Sequence, residues 1–197
     1  MTHRRLRTIL WTLVGIAAAC GMLVAVQRPS PTAEEAALAS IGGPFTLTGA
    51  DGRPFSSTRL DGRPAAIFFG FTNCPDVCPV TLARLTKLRR QLGKGDDAVS
   101  IVFITVDPER DGPAEVGSYA KLFGAPVIGL TGSTAEIERV KQQFGAFSQK
   151  VEQPGGTYSV DHTASVFLID RNGRFVATLS PEEGEQVALA KLERLVT

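Results

Sequence analysis

Ala65-Ala66-Ile67-Phe68-Phe69-Gly70-Phe71 is a short run without a polar side chain, and it narrows the possible folds more than any other stretch of the chain. It has neither the length of an ordinary helix nor the alternation of a half-exposed strand. It fits a strand buried on both faces. Val99 to Val106, mostly apolar, reads as a second buried strand, and Val127 to Leu130 supplies a third. Helical patterns separate them. Leu82, Leu85, Leu88 and Leu92 recur at helical spacing up to Gly93, and Pro113 with Glu115 opens a helix toward Phe123-Gly124. Ser133-Thr134-Ala135-Glu136 has the form of a capping box for a third helix through Phe144.

The flanks complete the pattern. Phe45-Thr46-Leu47-Thr48 and Pro54-Phe55 surround Asp51-Gly52, a hairpin signal. Phe147 to Val151, Thr163 to Ile169 and Arg174 to Leu179 are expected to finish the sheet, with Asn172-Gly173 turning the last hairpin. Ser180-Pro181-Glu182-Glu183 is expected to cap a final helix ending in Arg194-Leu195. The order of strands and helices predicts an α/β, thioredoxin-like domain with an N-terminal β-hairpin over residues 43–197.

The N-terminus differs in kind. His3-Arg4-Arg5-Leu6-Arg7 precedes an uncharged apolar run from Thr8 to Val26, close to the roughly 20 residues that a bilayer core requires. Residues 1–27 are therefore expected to form a cytoplasmic arm and a single transmembrane helix, and residues 28–42 a linker. Arg4, Arg5 and Arg7 outweigh Arg28, which places the N-terminus inside and the domain outside. A bacterial inner-membrane protein with its C-terminal domain in the periplasm follows, since no long amphipathic presequence precedes Thr8. The competing reading is a cleaved signal with Cys20 lipidated, but Ala17 stands where a bulky residue is expected. Four of the 21 basic residues lie in the first 28 positions, where no acid occurs, which leaves 17 against 20 acidic residues beyond. That balance argues against a nucleic-acid partner.

Cys74-Pro75-Asp76-Val77-Cys78-Pro79 follows the buried run almost at once. Cys20 belongs to the N-terminal segment, so the exported domain has two cysteines and no disulfide framework. A bridge across so small a loop would stabilise little. Pro79 at the first helical position would make Cys78 the cap and set both sulfurs near the positive end of a helix dipole, which favours thiolate. Thiolates serve disulfide exchange and soft metals such as Cu(I). Three residues between the cysteines, rather than the two of the familiar redox motif, leave room for a metal. His162 is the one histidine outside the N-terminal arm, expected in a loop before the strand Thr163 to Ile169, and both methionines also lie outside the domain. A lone histidine is ordinarily just a surface or core residue, and both chemistries remain open at this point.

Asp107, Glu109 and Asp111 invite a second metal site, but an Asp-Pro turn leaving a strand explains them more simply. Asp161 is a candidate to orient the His162 imidazole, and Asp76 to tune the thiolates. Thr72 falls only two residues before Cys74, which disfavours a peroxidase arrangement.

Phe69-Gly70-Phe71-Thr72 with Cys74-Pro75-Asp76-Val77-Cys78-Pro79, then Val106-Asp107-Pro108-Glu109-Arg110-Asp111, then Asp161-His162, closely resemble the Sco/SenC family of membrane-anchored copper-binding proteins. The resemblance runs from about Gly43 to the C-terminus. It implies a thioredoxin-like fold, copper as Cu(I) or Cu(II) held by Cys74, Cys78 and His162, and a role in assembling the dinuclear copper centre of cytochrome c oxidase. The implied partners are the copper-binding subunit of that oxidase, a periplasmic copper donor and a thiol reductant, because an oxidising compartment would otherwise close the cysteine pair. The alternative it leaves is a membrane-anchored thiol-disulfide oxidoreductase using Cys74 and Cys78 alone.

Overall fold

The computed structural model describes residues 3–26, 40–60 and 62–197, which fall into two units. The first holds α1 (His3–Val26). Among the described residues no helix is long and apolar enough to cross a membrane, so the expected spanning segment has only its charge and apolar pattern behind it. Most of the expected linker over 28–42 lies outside the described residues.

The second unit is an α/β sandwich. Its strands are β1 (Thr46–Gly49), β2 (Pro54–Ser56), β3 (Ala65–Gly70), β4 (Ser100–Thr105), β5 (Ile128–Thr131), β6 (Ser148–Gln153), β7 (Thr157–His162), β8 (Val166–Ile169) and β9 (Phe175–Leu179). The helices are α2 (Val77–Gln91), α3 (Pro113–Lys121), α4 (Thr134–Phe144) and α5 (Glu185–Leu195). Seven strands form one sheet in the order β2-β1-β5-β4-β3-β8-β9. β3, β4 and β5 are parallel at its centre, and β8 runs antiparallel to β3. Every residue of β3 is buried, as its unbroken apolar run requires.

Alternation along β3 divides the core. Phe68 faces the same side as Phe103, against which Tyr119 of α3 packs at 5.1 Å between ring centroids. Phe69 faces the other side and meets Phe144 of α4 at 5.6 Å. Leu82, Leu85 and Leu88 of α2 are buried, each worth about 1.5–3 kcal/mol relative to exposure. α5 is tied to α2 through Lys87 and Glu185. The two main hairpins turn as expected, with Gly52 and Gly173 at φ 74° and 76°, a region that glycine enters without steric cost. α4 starts with the expected reciprocal capping box between Ser133 and Glu136.

Three local expectations are corrected. Ser148–Gln153 does not join the main sheet but pairs with Thr157–His162 in a separate two-stranded sheet, so the segment before His162 is a strand and not a loop. Gly155-Gly156, both at positive φ, make that turn, and β6 is too polar to be covered on two faces. α2 begins at Val77, which puts Cys78 inside its first turn and Pro79 third; none of the opening N–H groups has an intrahelical acceptor, so proline fits there as well as at the first position. Residues 180–183 form a turn ahead of α5, whose N-cap is Gly184, because the Glu183 carboxylate is engaged by Lys191 instead.

Candidate metal centre

Topology gathers three segments at one end of the sheet. The loop after β3 carries Cys74, and the loop after the adjacent parallel strand β4 carries residues 107–111. β8 runs the opposite way, so its start, four positions after His162, returns to that same end. The carboxyl ends of parallel strands are where α/β folds place their sites.

Within this frame Cys74, Cys78 and His162 each offer a ligand atom, all within 4.8 Å of one another. Among the described residues they are the group of three or more such side chains that could hold a metal ion, and Asp107, Glu109 and Asp111 do not form a second. Cys78 is fully buried and Cys74 half-buried, and both are free thiols. The Cys78 N–H, left without a helical acceptor, donates to the Cys74 Sγ at 3.4 Å. The Cys78 Sγ lies 3.4 Å from the His162 Nε2. The other ring nitrogen, Nδ1, is 3.1 Å from the Thr163 carbonyl oxygen, to which it can only donate; the tautomer that makes this bond leaves the Nε2 lone pair toward the Cys78 sulfur.

Packing holds these atoms in place. Phe68 and Phe71 meet the imidazole edge-on at 5.9 and 5.8 Å. Gly70 is the residue that makes room for the Cys78 thiol: a Cβ there would come within 2.8 Å of the Sγ and 3.0 Å of Phe103 and Phe68. A cleft of about 300 Å³, lined by Phe71, Cys74, Asp76, Val77, Val160 and His162, opens onto the site. A larger cavity of about 460 Å³ involves the start of β3, at the opposite end of the sheet, and has no cysteine or histidine in its wall.

Burial decides the protonation states. It pushes the Cys78 thiol well above its ordinary range, the neighbouring Cys74 sulfur adds to the rise, and the Asp111 charge contributes in the same direction. The helix end does not win at Cys78, contrary to the expectation of thiolate, because desolvation of a fully enclosed sulfur is the larger effect. Burial also pulls His162 below its ordinary value, against smaller opposing contributions from backbone carbonyls and Asp161. The imidazole is thus neutral and ready to ligate at pH 7.

The acidic motif has a structural duty that its turn alone did not reveal. Asp111 is completely buried; its carboxylate accepts hydrogen bonds from the Thr72 N–H at 2.8 Å, the Thr72 hydroxyl at 2.5 Å and the Thr105 hydroxyl at 2.6 Å. It thereby pins the loop that leads into Cys74. The sequence signal was Thr72 together with the last of the motif's three acids, and only the sheet order makes them neighbours. Asp161 is exposed and alternates to the face of β7 opposite His162, so it does not orient the ring. Asp76 borders the cleft.

A family model described as SCO1/SenC matches residues 33–197. An SCO2-like protein of Rickettsia prowazekii is 37% identical over 138 residues, which span 69% of this chain and 67% of that protein. The structure of Bradyrhizobium japonicum ScoI with copper bound superposes with a TM-score of 0.71 at 42% identity, covering 79% of this chain and 99% of the other. BsSco, described with a disulfide switch as a member of the Sco family of cytochrome c oxidase assembly proteins, gives a TM-score of 0.64 at 29% identity over 81% of this chain and 95% of its own.

Proposed function

The chain belongs to the SCO1/SenC family, and from that premise we propose that it is a copper metallochaperone that supplies the copper-binding subunit of cytochrome c oxidase and so helps assemble its dinuclear copper centre. The observation that carries this reading is the convergence of two sulfurs and an imidazole nitrogen within 4.8 Å. Two soft donors and one borderline donor suit Cu(I), or Cu(II) with a weak further ligand, whereas Zn would want a fourth protein donor. Copper is the cargo here. Cys74, the more accessible thiol, faces the cleft by which a donor protein approaches, and His162 offers its lone pair without first losing a proton. Cys78 must give up the proton that burial makes it keep, so loading releases acid. Ligand exchange then passes the ion to the acceptor's own soft donors.

The domain works outside the cytoplasm in this reading, with residues 1–27 anchoring it in a bacterial inner membrane and a reducing partner holding the thiols open. The basic arm and the apolar Thr8 to Val26 run support that placement. Cell fractionation with residues 8–26 deleted tests it: release of the domain into the soluble periplasmic fraction is the expected result, and unchanged membrane association refutes it.

The copper reading is tested by anaerobic titration of the reduced protein with Cu(I) against a competing chelator, beside Cys74→Ala, Cys78→Ala and His162→Ala. Undiminished affinity in His162→Ala removes the third ligand and with it the carrying observation. A second reading, thiol-disulfide exchange on the oxidase subunit's cysteines, is favoured by the closeness of the two thiols, with the Cys78 N–H directed at the Cys74 sulfur. It needs no histidine. Full oxidase assembly in cells carrying His162→Ala, with loss in either cysteine variant, would select it.

A further inference from the structure

The hairpin that carries His162 pairs only with itself, so no ladder hydrogen bond from the main sheet sets the distance between imidazole and sulfur. The ring itself meets the Phe69 backbone, Phe68 and Phe71, and side chains must hold the strand that presents it. Along β7, Tyr158, Val160 and His162 share one face by alternation, so whatever fixes Tyr158 fixes the line on which His162 sits. Val160 is buried, but an apolar contact is non-directional and does not set a position along the strand.

Arg110 supplies the direction. Its Nη1 donates to the Tyr158 carbonyl oxygen at 3.0 Å, its guanidinium stacks over the Tyr158 ring 3.8 Å from the centroid, and its Nε is paired with the Asp107 carboxylate. Asp107 is itself buried, with its N–H donating to the Thr105 hydroxyl at 3.0 Å, and its second oxygen accepts from the Tyr158 hydroxyl at 2.9 Å. On the other side the guanidinium lies 5.8 Å from the Phe71 ring, whose edge packs against His162. One planar cation therefore joins the strand that ends in His162 to the loop that leads into Cys74.

We propose that Arg110, held by Asp107 and clasping Tyr158, is a positioning residue that sets His162 against the cysteine pair. For its consequence in copper affinity the proposal rests on the copper reading; for its geometry it does not. Lysine cannot substitute, because the site uses the flat stacking face and the forked donors together. Arg110 is not among the hydrogen-bond partners of either cysteine, so its loss acts on the histidine arm of the site.

The experiment uses the full chain in detergent, copper-free and reduced, with isotope-labelled histidine. It contains two histidines, and His3 serves as an internal control. In the wild type the Phe68 and Phe71 rings displace the His162 ring resonances from those of His3. In Arg110→Gln and Arg110→Lys these resonances move toward the His3 positions, Cu(I) affinity falls roughly 10–100-fold, as losses of outer partners of a metal site do, and the alkylation rates of Cys74 and Cys78 do not change. Unaltered His162 resonances in Arg110→Gln overturn the proposal, as does an equal change at the cysteines. If the wild type binds no copper while the resonances still move, the copper reading falls and the positioning role stands. Should Arg110→Gln fail to fold, Tyr158→Phe decides: it removes only the hydroxyl bond to Asp107, an intermediate displacement is expected, and none refutes the proposal.

Discussion

Cys74 and Cys78 lie between a strand buried along its whole length and a helix whose leucines enter the core, whereas His162 ends a two-stranded sheet that is clasped to the domain by side chains. The cysteine arm is held by main-chain hydrogen bonding and by burial of non-directional apolar surface. The histidine ring is packed by Phe68 and Phe71, but the strand that carries it is held to the domain by one buried valine and the Asp107, Arg110 and Tyr158 cluster. A rigid thiol pair set beside a tethered third donor suits a carrier: the sulfurs retain the ion while the imidazole is the ligand most easily displaced. The contrast also accommodates both proposed chemistries, since the cysteine arm is complete without the histidine.

The largest effect is expected on the rigid arm. Cys74→Ala or Cys78→Ala should leave the purified protein with background copper by elemental analysis, because each removes one of the two soft thiolate donors and leaves a single sulfur beside the imidazole. His162→Ala should be smaller, a measurable loss of Cu(I) affinity with thiol titration still returning two reactive domain cysteines. Equal losses in all three variants would erase the distinction between the arms. Gly70→Ala probes the packing behind Cys78; the added methyl meets the sulfur and two rings, and calorimetry should show a loss of about 1–3 kcal/mol, the usual cost of overpacking.

Acid should separate the arms more gently. His162 is depressed below its ordinary value near 6.5, so the unfolded chain takes up its proton first as the pH falls. Stability contributed by the neutral imidazole is therefore whole above that ordinary value and is lost as the pH drops through it toward the depressed one. Urea midpoints of the copper-free protein should fall across that window and do so less in His162→Ala. Smallest of all is Lys150→Ala, which removes the exposed pair with Glu109 and an ammonium contact 4.7 Å from the Tyr158 ring centroid at the outer edge of the clasp; exposed contacts of either kind contribute little. Unfolding midpoint and copper affinity should both match the wild type, and a marked loss of affinity would extend the positioning set to Lys150.

Much of the fold was legible because its signals are local. The unbroken run over 65–71, the leucine spacing of α2, the glycine turns at Gly52 and Gly173 and the Ser133 capping box each report conditions met within a few residues. The misreadings arose where more than one local solution was available. Proline is tolerated throughout the first turn of a helix, so Pro79 did not mark its start. The Gly155-Gly156 turn followed by Thr157 to His162 was itself a hairpin signal, but the polar face of β6 obscured it.

The sequence by itself determined the materials: an α/β core, two thiols at a strand-to-helix junction, and a single histidine in the domain to join them. The tertiary structure decided how far each reaches. It brought the Cys78 sulfur to 3.4 Å from an imidazole 84 positions away, buried that thiol deeply enough that desolvation overrides the helix end, and turned the Asp107 to Asp111 motif from a plain turn into the anchor of both arms. Distances of that kind depend on strand order and on what lies across the sheet, and neither is written in the spacing of residues along the chain.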